Sequence, residues 1–382
     1  MNPLEGLVYG YFNKMRLCLI YNFAQHYRAS IFKLIDQEFD CDFVFGDSYL
    51  DVKKMDYSLL HGHVTEVHIK RFGSWYYQED IQPLLRKTYD SYILLGESRS
   101  LSSWLFCIRA RLFYPKKRVY FWSHGWYGKE TSMEKLLKKI LFKLPNGGIF
   151  LYGNYARELM IKEGFNPDKL FVIHNSLSYE KQIHVRNALS PLPIYEEHFH
   201  NNSLNLIFMG RLTSSKKLDM VLQALALLRG KGQMYNMTFI GGGEAKEDLE
   251  TLTKKLRLQE CVWHYGPCYD EQVLGEMIYN ADLCISPGNV GLTAIHSLVF
   301  GTPVLTHDVF SRQGPEFEAI RNDETGAFFQ YDNIDSLAER ITLWFMKNGD
   351  RREEVRQACM KEIDDYWTPQ FQIEVFKKVL LQ

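Results

Sequence analysis

No C-x-x-C pair occurs among the seven cysteines of this chain (18, 41, 107, 261, 268, 284 and 359), and their number is odd. Disulfide frameworks and common zinc spacings are therefore not expected, and reduced thiols are. No apolar run approaches the ~20 residues of a spanning helix, so any membrane contact is expected to be peripheral. Charge of one sign is missing too: 45 basic residues meet 46 acidic ones, a net charge of -1 that argues against a general nucleic-acid binder. There is no low-complexity segment and no internal repeat; no secretory leader is read, and with the cysteine usage a cytoplasmic location is expected. His61 with His63 and His198 with His200 lack a third ligand, and the D-x-D of Asp40 and Asp42 straddles a helix end and a strand start. No metal site is expected from them.

What is present fits a folded α/β protein. At 382 residues, with 46% hydrophobic and 24% charged residues, two domains with real cores are expected. From Met15 short β-rich runs alternate with longer helical ones. Strands are predicted at Arg16–Tyr21, Cys41–Phe45, Val64–Ile69, Ser91–Leu95, Val119–Trp122, Ile149–Tyr152 and Leu170–Ile173, and helices at Ala29–Glu38, Leu101–Phe113 and Tyr155–Glu163. Such alternation means crossovers and a mostly parallel sheet. A second series begins at 205–212 and runs through 282–286. Between the two lie residues 178–203, with Pro191, Pro193 and no sustained period, which read as a linker. Residues 1–14 read as an extension outside the fold.

The stretch from Ser286 to Val304, SPGNVGLTAIHSLVFGTPV, reads as a strand end, a glycine turn and a short helix opening near Gly291. Unpaired amides at such a helix start can hold phosphate. Contacts are expected from Gly288, Asn289, Val290, Gly291, Leu292 and Thr293.

Residues 149–345 resemble the nucleotide-binding domain of retaining GT-B glycosyltransferases, in particular glycosyltransferase family 4. The matching pieces are Gly210, Arg211 and Leu212 followed by Lys216; FIGGGE at 239–244; YGP at 265–267; ADLCISP at 281–287; Gly291 and Leu292; GTPV at 301–304; ETG at 324–326 and LAERI at 337–341. The resemblance implies that Arg211 and Lys216 hold a nucleotide diphosphate and stabilise it as leaving group, a task suited to a guanidinium fork and an ammonium. It also implies donor contacts from Gly210, Gly242, Gly243, His264 and Tyr265. Lys217 stands where the family often has glycine. The family's Glu-x7-Glu pair falls here on Gly288 and His296, neither acidic. His296 can still make one hydrogen bond to a ribose hydroxyl. A compensating acid is expected from PEFEAI, as Glu318 or Glu316.

In the first half, His124 ends the strand YFWSHG, where a parallel sheet presents ligands, and the family has a His near the donor sugar there. Acceptor-side contacts are expected from His26, Arg28, Trp126 and Tyr127, while Asn175 reads as structural. The segment Glu134–Leu144 is an amphipathic pattern whose Lys135, Lys138, Lys139 and Lys143 face could lie on an anionic membrane, or simply be solvated over a sheet.

The expectation is thus an α/β protein of GT-B type: two doubly wound Rossmann-like domains at 15–177 and 204–362, and a helix at 363–382 that crosses back to the first. It implies a hexosyltransferase-type enzyme using a nucleotide-sugar donor, UDP-sugars ahead of GDP-sugars, with no separate cofactor. The acceptor is expected to be a saccharide or lipid-linked saccharide in surface-polysaccharide assembly, with retention and action at the inner face of the membrane. A sugar-nucleotide epimerase and a non-catalytic nucleotide-sugar-binding subunit remain as alternatives. Sugar, base, linkage and oligomeric state stay open.

Overall fold

A computed structural model describes residues 14–47 and 52–382. The expected extension therefore lies, but for Lys14, outside the described residues. The first domain runs β1 (Arg16–Tyr21), α1 (Ala29–Glu38), β2 (Asp40–Gly46), β3 (Val64–Val67), β4 (Ile69–Phe72), β5 (Trp75–Gln78), β6 (Ser91–Leu95), α2 (Leu101–Phe113), β7 (Arg118–Ser123), α3 (Ser132–Phe142), β8 (Gly148–Leu151), α4 (Asn154–Lys162) and β9 (Leu170–Val172). Its parallel sheet has the order β3-β2-β1-β6-β7-β8-β9. The central strands are apolar runs such as LCLIY because both faces are covered. One core lies under α1, and the other under α2, α3 and α4.

After α5 (Tyr179–Arg186) and α6 (Ile194–Phe199), the second domain runs β10 (Leu204–Met209), α7 (Asp219–Gly230), β11 (Tyr235–Ile240), α8 (Lys246–Lys255), β12 (Val262–Gly266), α9 (Glu271–Asn280), β13 (Leu283–Ser286), α10 (Thr293–Val299), β14 (Val304–His307), β15 (Gly326–Phe329), α11 (Ile334–Asn348) and α12 (Arg352–Tyr366). Its six strands are parallel in the order β12-β11-β10-β13-β14-β15. The two doubly wound sheets are those expected.

Three details differ or sharpen. The run Val64–Ile69, expected as one strand, breaks at His68: β3 joins the large sheet, and β4 turns through Gly73 to pair antiparallel with β5. The segment 178–203 is more than a linker, because Val185 of α5 and Tyr195 of α6 belong to the second core and the Tyr195 hydroxyl donates to the Met277 carbonyl at 2.6 Å. Both helices, separated by Pro191 and Pro193, are too short to display a period. Finally, α13 (Pro369–Leu380) does cross back. Thr368 caps it by accepting from the Phe371 amide at 3.0 Å, with Pro369 at the first helical position. Its Ile373, Phe376 and Leu380 enter the first domain's core beside α1.

Candidate active site

The loops after β1, β7, β10 and β13 converge where the carboxyl ends of the two sheets meet. Arg28 ends a short 3-10 turn after β1 and is buried, its guanidinium 5.2–5.7 Å from the ring centroids of Tyr152, Trp122, Tyr21 and Tyr27. Burial works against its charge, but the phenols of Tyr152, Tyr21 and Tyr27 outweigh that and hold its pKa above the ordinary value. His26, in the same turn, points away, with Nδ1 3.2 Å from the Lys53 carbonyl. His124 is open to the cleft yet surrounded by protein, its ring 4.6 Å from that of Tyr152 and 5.7 Å from that of Tyr127. Desolvation, then Arg28 and Lys138, push its pKa down to about 4, so the ring is neutral at pH 7. It can share a hydrogen bond with a sugar hydroxyl but carries no charge to a phosphate.

Across the cleft, Lys216 follows β10 and donates through Nζ to the Asn289 carbonyl. Desolvation lowers its pKa, opposed by Glu316 and reinforced by Arg211, which is itself exposed. Glu316 is 4% exposed and accepts from Asn175 Nδ2 at 2.8 Å. Burial raises its pKa, against the pull of the Asn175 bond and the charges of Arg28 and Lys216. Arg28, His124, Lys216, Arg211 and Glu316 therefore form one electrostatically coupled group drawn from both domains.

Several expected contacts lie elsewhere. Glu318 faces the first domain, where its two oxygens accept from the Asn154 and Tyr155 amides, each at 2.7 Å, and cap α4. With both oxygens committed, it is a clasp between domains and not a compensating acid. Glu318→Ala is expected to lower stability by about 1–2 kcal/mol in urea melts, the usual cost of a lost cap; an unchanged midpoint would exclude that role. Lys217 adopts φ 52°, which explains why a glycine suits the position, and its Nζ turns to Asp332 at 2.7 Å and the Tyr331 ring at 4.4 Å. Trp126 is core, packed on Phe142 and Phe165, and touches only a small pocket at the domain junction, whereas Tyr127 also lines the larger cavity beside His124. His264 presents Nε2 to Thr253 Oγ1 at 2.9 Å and stacks on Phe239, facing α8, while Tyr265 is partly exposed beside Trp263.

The glycine stretch also changes meaning. A Cβ on Gly288 would lie 2.1 Å from the Ser215 carbonyl oxygen and 2.7 Å from Lys216 Cα, so no side chain fits where the family has its first glutamate. The Gly288 amide instead donates to the Lys216 carbonyl at 3.0 Å, fastening the Lys216 loop to this one. The Val290 amide donates to Gln313 Oε1 at 2.9 Å and Thr293 Oγ1 to the Met209 carbonyl at 3.0 Å. Gly291 has φ 52°, Leu292 is half-buried, and Asn289 is exposed. The expected helix opening begins only at Thr293 and spans seven residues, too few for a strong terminal dipole. Gly242 and Gly243 belong to a loop packed backbone to backbone: a Cβ on neighbouring Gly241 would sit 1.8 Å from the Gly210 oxygen.

His296 does not stand alone. Its Nε2 meets Glu271 Oε1 at 3.0 Å, and Gln182 Nε2 donates to the same oxygen at 3.0 Å. Burial raises the Glu271 pKa, but the bond and charge of His296, the Gln182 bond and the charge of Lys181 together bring the carboxylate below its ordinary value. Glu271 escaped sequence reasoning because its partners come from α5 and α10. Glu97 escaped as well, although it follows the end of β6 and the strand-end argument could have found it. It is half-buried, its pKa raised by desolvation, accepts from Tyr76 at 2.7 Å, and lines a cavity of about 740 Å³ shared with Arg71, Trp75, Arg99 and His124.

The lysine face of α3 is largely paired: Lys138 with Glu130 at 2.7 Å, and Lys135 and Lys139 with Glu163 at 3.3 and 3.7 Å. Only Lys143 of the four has no ion pair among the described residues. No described helix is long and apolar enough to cross a membrane.

Comparison with known proteins places this geometry. Residues 195–361 match the family model described as glycosyl transferases group 1. A putative glycosyltransferase, EpsD, of Bacillus subtilis (strain 168) is 25% identical over 156 residues, 40% of this chain and 39% of that protein. An uncharacterized glycosyltransferase of Haemophilus influenzae is 24% identical over 140 residues, 36% of this chain and 38% of its own. The match thus spans about two fifths of each curated relative. Among solved structures, Anabaena Alr3699/HepE in complex with UDP aligns with a TM-score of 0.70 at 12% identity, covering 96% of this chain and 100% of that one. The lipopolysaccharide outer core galactosyltransferase WaaB in its apo form aligns at 0.69 and 15% identity, covering 96% and 99%. Fold and family match agree: the chain is a GT-B protein of two Rossmann-like domains, related through residues 195–361 to the group 1 glycosyl transferases.

Proposed function

We propose that the chain is a hexosyltransferase-type glycosyltransferase that moves a sugar from a nucleoside-diphosphate sugar, UDP-sugars first, to a saccharide or lipid-linked saccharide acceptor in surface-polysaccharide assembly. The observation that carries this reading is the arrangement at the cleft: Lys216, held to Asn289 and next to the exposed Arg211, lies on the second domain, and Arg28 and His124, both against the Tyr152 ring, lie on the first. UDP is the nucleotide held by the Anabaena protein of the same fold, which puts UDP first in this reading.

In the reaction, the bond between the anomeric carbon and the β-phosphate oxygen breaks and its electron pair stays on the diphosphate. Arg211 and Lys216 offset the charge that develops there. The acceptor hydroxyl oxygen bonds to the anomeric carbon, with retention, and its proton passes to the departing phosphate oxygen. His124 holds a donor-sugar hydroxyl, and Glu316, in place of the absent glutamate at 288, orients the sugar and Lys216. The Glu97 cavity, reached past Tyr127, receives the acceptor. Closure of the domains limits hydrolysis. Site of action is the cytoplasm.

Thermal-shift titration with UDP, GDP, CMP and dTDP tests the donor assignment, since a ligand of the native state raises the melting temperature. UDP is expected to give the largest rise, and a flat response to all four would sink the reading. The absence of both family carboxylates favours a second reading, a nucleotide-sugar-binding subunit. Binding with no UDP release in the presence of acceptors would select it, and conversion of the donor alone would select an epimerase.

A further inference from the structure

Eight large apolar side chains of α2 and α3 face outward. Leu112 is 67% exposed, Phe113 70%, Met133 64%, Leu136 54%, Ile140 48% and Ile108 39%. They form stripes: Ile108 and Leu112 lie four residues apart, with Leu105 and Leu101 continuing the row, and Met133, Leu136 and Ile140 follow helical spacing. The helices lie side by side on one sheet face, since both contribute to the same core and Arg111 Nη1 donates to the Lys143 carbonyl at 3.0 Å, joining their carboxyl ends. Scattered apolar residues need no explanation, but two parallel stripes on adjacent helices make a patch that calls for a cover.

Charge identifies the cover. From Ser98 to Lys129 the chain has seven basic residues and no acidic one. Arg109, Lys116 and Arg118 lie at or after the α2 end, and Lys143 after α3. The acids nearest the patch are engaged: Glu130 with the Tyr127 and Gly128 amides and Lys138, Glu134 with the Thr131 cap, and Glu163 with Lys135 and Lys139. A second copy of this chain on the same face would bring like charges together around the apolar contact. An anionic lipid surface satisfies both features at once.

We infer that the outer face of α2 and α3 is a docking surface for an anionic lipid bilayer, with the apolar stripes entering the headgroup boundary and the basic residues meeting the lipid charge. This reassigns membrane contact from Lys135, Lys138 and Lys139, which are paired internally, to the row of Met133, Leu136 and Ile140, with Lys143, and to α2. The surface adjoins the Glu97 cavity, which Leu137 and Phe142 of α3 also line. An acceptor anchored in the bilayer would arrive beside it.

The test needs no transfer activity, so its failure is distinct from failure of the proposed reaction. Full-length protein is sedimented with vesicles of phosphatidylglycerol and phosphatidylethanolamine, and with vesicles of phosphatidylcholine alone. Binding is expected to the anionic vesicles, weaker to the neutral ones, and reduced by salt. The double variants Leu112→Asp with Phe113→Asp, and Leu136→Asp with Ile140→Asp, are expected to lose at least about tenfold in partitioning with unchanged melting temperature. Met346→Asp, an exposed site in the second domain, should bind as wild type does. No sedimentation of the wild type, or equal binding by the double variants, overturns the inference. So does light scattering that finds a dimer which Leu112→Asp with Phe113→Asp dissociates.

Discussion

Lys216→Ala is expected to lower kcat for sugar transfer by about 10²–10³-fold, the range found when one preorganised donor to a developing oxyanion is removed. The lysine is held for this task by three things. Its side chain bridges to the Asn289 carbonyl, its backbone is fastened by the Gly288 amide, and the carboxylate of Glu316, from the same domain, favours its charge. Because the diphosphate gains charge as the sugar leaves, the loss should appear in kcat more than in KM. Arg211→Ala, an exposed cation beside it, should raise KM for donor and reduce kcat less. Rates measured at low and saturating donor, with melting temperature as the folding control, separate these cases. Full activity of Lys216→Ala at low donor concentration would remove it from the reaction.

Phe376→Ala should destabilise the protein by about 3–5 kcal/mol, as for a buried aromatic cut to a methyl. Phe376 belongs to the last helix of the chain but sits in the first domain, 0% exposed, its ring 4.5 Å from that of Phe150 and 5.2 Å from that of Trp122. Neither Ser176, which donates to Gln372 at 2.6 Å, nor the 3.4 Å Lys377–Glu38 pair could make up the loss, since one bond of each kind is worth about 1 kcal/mol or less. Urea unfolding followed by tryptophan fluorescence would measure it, with Trp122 as a nearby reporter. A cost under about 1 kcal/mol would mean that the crossing helix is peripheral to the first domain's stability.

The elements were legible where local rules suffice. Ala29–Glu38 follows a helical period from end to end, and the short apolar runs at 16–21 and 91–95 fit doubly covered strands. Short α5 and α6 were not legible, because eight and six residues, parted by Pro191 and Pro193, carry too little period. At the candidate site, the chemistry of Arg211, Lys216 and His124 could be read, but the direction of Glu318 could not. The two glutamates of PEFEAI, separated by Phe317, turn to different partners, one buried against Asn175 and the other capping α4, and sequence spacing does not say which way each turns.

By itself, the sequence determined the two parallel sheets, the order of their strand-end loops and the residue types available at the cleft, because hydrophobic period and glycine turns act over a few residues. Tertiary structure alone decided which of those residues meet. Gly288 is closed to any side chain only because the Ser215–Lys216 backbone lies on it, His296 has a carboxylate only because α9 brings Glu271 to it, and Arg28 gains three of its four aromatic neighbours, Tyr21, Trp122 and Tyr152, from outside its own turn. Each of these depends on approach between residues distant in the chain, where sterics and electrostatics act through space and leave no local pattern.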